Sequence, residues 1–141
     1  MVVLVQATVL TVGLNGRSEV LRELPIRLIK MQSGLEAARS LKNEKVNSVI
    51  SRWDLDDMPD GRFIESFKAA KPYIPTIALI KPGSKAQEIA ARSLGVSAVL
   101  AEDATDNVLK DTVANLLGIQ DGVAIKAIVS AGNVEELMRE G

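Results

Sequence analysis

Val46-Asn47-Ser48-Val49-Ile50-Ser51-Arg52-Trp53-Asp54-Leu55-Asp56-Asp57-Met58-Pro59-Asp60-Gly61 decides the fold. Val46, Val49 and Ile50 are β-formers in a short apolar run, the pattern of a strand covered on both faces. The run empties into a loop with carboxylates at Asp54, Asp56, Asp57 and Asp60, punctuated by Pro59 and Gly61. Phe63, Ile64, Phe67 and Ala70 then recur at helical spacing. A strand that opens into a polar loop before a helix is where open α/β sheets place their chemistry. The residue at the strand's end, however, is Arg52, which can be neither nucleophile nor general base.

Outward from that stretch the chain alternates. Toward the N-terminus, Thr8–Val12 reads as a first strand, Arg17–Glu23 as a short helix and Ile26–Ile29 as a second strand. Ser33 and Glu36 have capping-box spacing and open a helix to about Lys42, with Leu35, Ala38 and Leu41 on its buried stripe. Toward the C-terminus, Pro72 and Pro75 end the Phe63 helix, and Thr76–Ile80 is the fourth strand. Ser84 caps a helix with Ala86, Ile89, Ala90 and Leu94 inside, and Gly95 suits its C′ position. Val96–Leu100 is a fifth strand. Asp103 or Thr105 caps a last helix with Val108, Leu109, Val113, Leu116 and Leu117 inside, ended by Gly118. Strand and helix repeat five times, which implies one parallel sheet with helices on both faces and right-handed crossovers.

The expected domain is residues 1–118. Residues 119–141 form an extension in which Val123–Val129 reads as strand or helix. Asn133 and Glu136, before Leu137 and Met138, begin a short terminal helix. Such an apolar extension covers an open sheet edge or joins a subunit contact.

Composition excludes several kinds of chemistry. The 141 residues contain no cysteine and no histidine. Disulfides, thiol catalysis, zinc sites and Ser-His or Cys-His catalysis within the chain are thereby removed. The net charge of −1 with both signs interspersed gives no nucleic-acid footprint. The apolar start Met1–Leu14 is interrupted by Gln6, Thr8 and Thr11 and is too short to span a bilayer. The reading is a cytoplasmic protein with no membrane segment.

Three segments carry a resemblance. One is the strand, acidic loop and Met58-Pro59-Asp60-Gly61 before the Phe63 and Phe67 helix. The others are Ile74-Pro75-Thr76-Ile77-Ala78-Leu79-Ile80 and Ala91–Leu100, with its Leu94-Gly95-Val96. From about Thr8 to Leu117 the chain resembles the receiver domain of bacterial response regulators, a flavodoxin-like (βα)5 fold. The resemblance implies an acidic pair after strand one for Mg²⁺, a phosphorylatable Asp ending strand three, a hydroxyl ending strand four and Lys-Pro after strand five. Here the acidic pair falls on Gly13 and Leu14, the phosphoacceptor on Arg52, the hydroxyl on Ile80, and Lys-Pro on Glu102 and Asp103. The switching aromatic of strand five falls near Val99. The resemblance therefore implies a degenerate receiver without phosphotransfer, metal, cofactor or catalysis. It would act through a protein partner: a kinase, an effector or a second copy in a homodimer. The contact face would be Ser84–Ser93 with Leu100–Leu117, including Lys85, Glu88, Arg92, Lys110 and Asp111.

The reversed charges suggest a pair, with Arg52 on strand three facing Glu102 after strand five. Both side chains pointing to solvent is the alternative. A different class of reading is a small-molecule or anion site at the strands' C-terminal edge, near Asn15, Arg52, Asp54, Lys81 and Glu102. Asp54-Leu55-Asp56 is also superficially similar to the Asp-x-Asp of haloacid-dehalogenase-type phosphatases, without the remaining motifs. An EF-hand register fails, because taking Gly61 as position six puts Met58 at position three and Phe67 at position twelve. Gly13-x-x-Gly16 matches no phosphate-binding glycine motif and reads as a plain turn. The acidic loop is expected to be solvated and to favour the N-terminus of the helix after Gly61.

Overall fold

Five parallel strands make one sheet in the order β2-β1-β3-β4-β5. They are β1 (Ala7–Val12), β2 (Ile26–Met31), β3 (Ser48–Arg52), β4 (Thr76–Ile80) and β5 (Ala98–Ala101). A 3-10 helix (Asn15–Glu23), α1 (Gly34–Asn43), α2 (Arg62–Ala70) and α3 (Lys85–Ser93) connect them, and α4 (Asp106–Leu117) follows β5. This computed structural model describes residues 6–119 and the backbone of 120, 123 and 124. Within those residues Ile119–Gln120 pairs antiparallel with Val123–Ala124; the expected terminal helix from Asn133 lies outside them. The architecture is the flavodoxin-like (βα)5 arrangement.

The alternation of side chains along the central strands splits the core into two layers. Leu10, Val12, Val49, Ala78 and Ile80 face α1, α2 and α3, with Trp53, Phe63 and Phe67. Val9, Ile50, Ile77 and Leu79 face the 3-10 helix and α4, with Leu21, Leu109 and Val113. Phe63 and Phe67 stack with centroids 6.2 Å apart and anchor α2 to the sheet.

The helix phases differ from the sequence reading. Leu35 is exposed, and Gly34 and Ala37 take the buried face of α1. Met58 seats on Gly34, where a Cβ would lie 2.5 Å from its sulfur. Ile89 and Val108 are likewise exposed, while Ala91 and Leu109 face inward. Arg17–Glu23 belongs to a 3-10 helix rather than an α-helix. Ser33 caps α1 by accepting from the Glu36 N–H, but Glu36 reaches past it to the Gln32 N–H, so the capping box is only half formed.

Candidate functional site

The C-terminal edge of the sheet gathers the positions singled out in the sequence. Val12 is in register with Ser51, Arg52 with Leu79, and Ile80 with Ala101. Parallel strands in that register bring Gly13, Arg52, Ile80 and Glu102 to one edge. The Glu102 N–H donates to the Ile80 carbonyl at 2.7 Å, which ties the end of β5 to the end of β4.

Arg52 Nε donates to Glu102 Oε2 at 3.1 Å. The two side chains are 38% and 30% exposed, so the pair lies at the mouth of the edge and not in the core. Gly13 adopts φ +75°, and a Cβ there would lie 2.7 Å from Leu55 Cδ2 and 3.5 Å from Arg52 Cδ. The missing side chain thus leaves room for Leu55, with the Arg52 stem in ordinary contact beside it. Leu14 is buried with the 3-10 helix and α4, and Ile80 is buried on the opposite face. Ile80 does not line the edge depression, whereas Leu14 does.

A depression of about 240 Å³ remains, lined by Gly13, Asn15, Arg17, Arg52, Leu79 and Glu102, with Leu14. Arg17 is a residue of this candidate site that sequence reasoning missed. Its guanidinium donates to the carbonyls of Glu102 and Ala104 and lies 4.0 Å from Asp106. A cation in the first turn of the first helix is its only signal in sequence, because its acceptors lie far along the chain.

The acidic loop is divided rather than pooled. Asp54 accepts from the Asp60 N–H at 2.7 Å and from Gln87 Nε2 at 3.1 Å, while Gln87 Oε1 accepts from the Lys81 N–H at 2.8 Å. Asp54 and Gln87 therefore clasp the loop after β3 to the loop after β4. Asp57 accepts from the Gly34 and Leu35 N–H groups at 2.9 Å each, which holds its carboxyl below the ordinary carboxylate value. The loop's helix-capping carboxylate thus serves α1, not the following helix. The N-cap of α2 is Gly61, with no side-chain cap. The anion-site residues are also separated: Asn15, Arg52 and Glu102 line the depression, while Asp54 and Lys81 do not.

A divalent cation does not fit this edge. Gly13 and Leu14 bring no carboxylate, and Arg52 places a positive charge there. Among the described residues no three His, Cys, Asp or Glu side chains are grouped to hold a metal ion.

No family model matches the chain. A chemotaxis protein CheY homolog of Campylobacter jejuni is 31% identical over 98 residues, covering 67% of this chain and 75% of the homolog. The chain belongs to the CheY-like receiver-domain family. The transcriptional regulatory protein GlrR of Escherichia coli is 29% identical to this receiver domain over 90 residues, which is 64% of the domain's chain and 20% of GlrR. Solved structures agree on the fold. The CheY-like receiver domain protein of Methanospirillum hungatei superposes with a TM-score of 0.72 at 14% identity, covering 79% of this chain and 94% of its own. Chemotaxis response regulator CheY4 of Vibrio cholerae gives 0.71 at 18%, covering 80% and 100%. Receiver domains are modules of two-component signalling that meet kinases and effectors. Among the described residues no helix is long and apolar enough to cross a membrane.

Proposed function

We propose that this receiver domain is a pseudo-receiver: it carries no phosphoryl group, catalyses nothing, and signals by binding a kinase, an effector or a second copy of itself. The Arg52–Glu102 pair carries this reading. The resemblance assigns these two positions to the family's phosphoacceptor and lysine, and here an ion pair of exchanged charges joins them at 3.1 Å. An arginine cannot form an acyl phosphate, and the neighbouring Gly13 and Leu14 offer nothing to a metal.

The contact surface in this proposal is α3 with β5 and α4. It presents exposed Ile89 and a Glu88–Arg92 ion pair. Lys110 is turned aside to Glu23 at 2.8 Å. The Asp54–Gln87 clasp supports one fixed arrangement of this face, because it bolts the start of α3 to the loop after β3.

The test is intact-mass measurement after incubation with acetyl phosphate and Mg²⁺, using rapid borohydride trapping of any acyl phosphate. The expected mass is unchanged. Trapped phosphorylation at Asp54, Asp56, Asp57 or Asp60 would overturn the pseudo-receiver.

A further inference from the structure

An apolar groove of about 250 Å³ runs between α1 and α2, away from the sheet edge that carries Arg52. Its lining includes Leu41, Met58, Phe63 and Phe67, with Lys42 and Lys71 at its end. A second depression adjoins it and shares Leu41, Lys42 and Lys71. Lys45 lines that depression too. The one carboxylate there, Glu44, is engaged by Arg27 at 2.9 Å. None of Lys42, Lys45 and Lys71 forms an ion pair with a described residue. The surface is therefore an apolar trough with a positive rim, and it fits an apolar segment carrying carboxylates.

The chain itself contains such a segment. In Asn133–Gly141, Val134, Leu137 and Met138 recur at i, i+3 and i+4, the spacing of one helix face. Glu135, Glu136 and Glu140 outnumber the single Arg139. The topology also brings the two together. Helices antiparallel to a parallel sheet all end at the strands' N-terminal edge. Lys42 and Lys71 sit at the C-terminal ends of α1 and α2, and α4 ends at Gly118 on the same edge. Residues 125–132 separate Val123–Ala124 from Asn133 and span up to about 26 Å when extended. Crossing from the α4 layer to the α1–α2 layer takes roughly 20 Å at ordinary layer spacings.

We infer that Asn133–Gly141 docks in cis in the α1–α2 groove, with Leu137 and Met138 in the trough and its glutamates on Lys42, Lys45 and Lys71. A tether this short supplies an effective concentration in the millimolar range, so a weak contact is populated without a large interface. The docked segment occupies the groove that an acidic partner helix would otherwise take. The inference does not depend on the pseudo-receiver reading, since no residue of the edge site is involved.

Zero-length carbodiimide coupling of the full chain, followed by mass spectrometry of the monomeric fraction, tests it. The Lys110–Glu23 ion pair supplies an internal control link. The expected links join Lys42, Lys45 or Lys71 to Glu135, Glu136 or Glu140. The double variant Leu137→Asp, Met138→Asp should lower their yield at least about tenfold relative to the control link, since both apolar anchors are lost. The inference is overturned if the control link forms without these links. Links confined to the dimeric fraction, or links whose yield the double variant leaves unchanged, overturn it as well.

Discussion

The Arg52–Glu102 pair can be measured directly by a double-mutant cycle of Arg52→Ala, Glu102→Ala and the combined variant. One nitrogen–oxygen contact of 3.1 Å joins them, with each side chain about one-third exposed. At an effective dielectric near 20 the gross attraction is about 5 kcal/mol. Partial desolvation and the ordering of two long side chains offset most of it, and exposed pairs measure roughly 0.2–1 kcal/mol. Both partners here hang from fixed backbone. Arg52 ends β3 opposite Leu79, and the Glu102 N–H is bonded to the Ile80 carbonyl. That anchoring reduces the ordering cost, so the expected coupling lies near the top of the range, about 1 kcal/mol. Glu102→Ala leaves the backbone carbonyl held by Arg17 in place, so the cycle isolates the carboxylate. Arg52→Ala costs more than Glu102→Ala, because it also removes the side-chain stem beside Gly13. Urea unfolding of the four proteins at equal m-values gives the coupling, which falls at 1 M salt. Additivity within about 0.3 kcal/mol at low salt would refute the pair as an energetic unit.

Two further substitutions probe the loop after β3. Gly61→Ala should destabilise the fold by about 2–4 kcal/mol, read as a lower urea midpoint. Gly61 has φ +73°, and a Cβ there would lie 2.3 Å from the buried Trp53 ring. Asp57→Ala removes the carboxylate that caps α1 and should cost about 0.5–1 kcal/mol, the low end because the group is exposed. Its folded pKa is lowered, so this contribution is fully present above the ordinary value of 3.8 and is lost as pH falls through the lower folded value. The stability gap between wild type and Asp57→Ala should therefore close in that acid window, as followed by urea unfolding across pH.

Local patterns carried the sheet and its order of elements. Alternating apolar runs and turn residues wrote each strand and helix into contiguous sequence, with boundaries shifted by one or two residues, as in β3 and β5. The residues that the resemblance sets against the receiver's chemical positions, Gly13, Leu14, Arg52, Ile80 and Glu102, were equally legible, because they sit at the ends of those runs. Under the proposed pseudo-receiver reading, residue type alone removes the carboxylates and the lysine. Contacts between distant segments were not legible. The burial of Gly34 beneath Met58 is not visible in the apolar pattern of α1. Asp57 caps a helix that precedes it in the chain, and Arg17 reaches carbonyls more than eighty residues away. Periodicity and turn chemistry in contiguous stretches were enough for the fold. The arrangement at the C-terminal edge emerged only in three dimensions, because the positions of Arg17, Arg52 and Glu102 depend on the register of strands from separate parts of the chain.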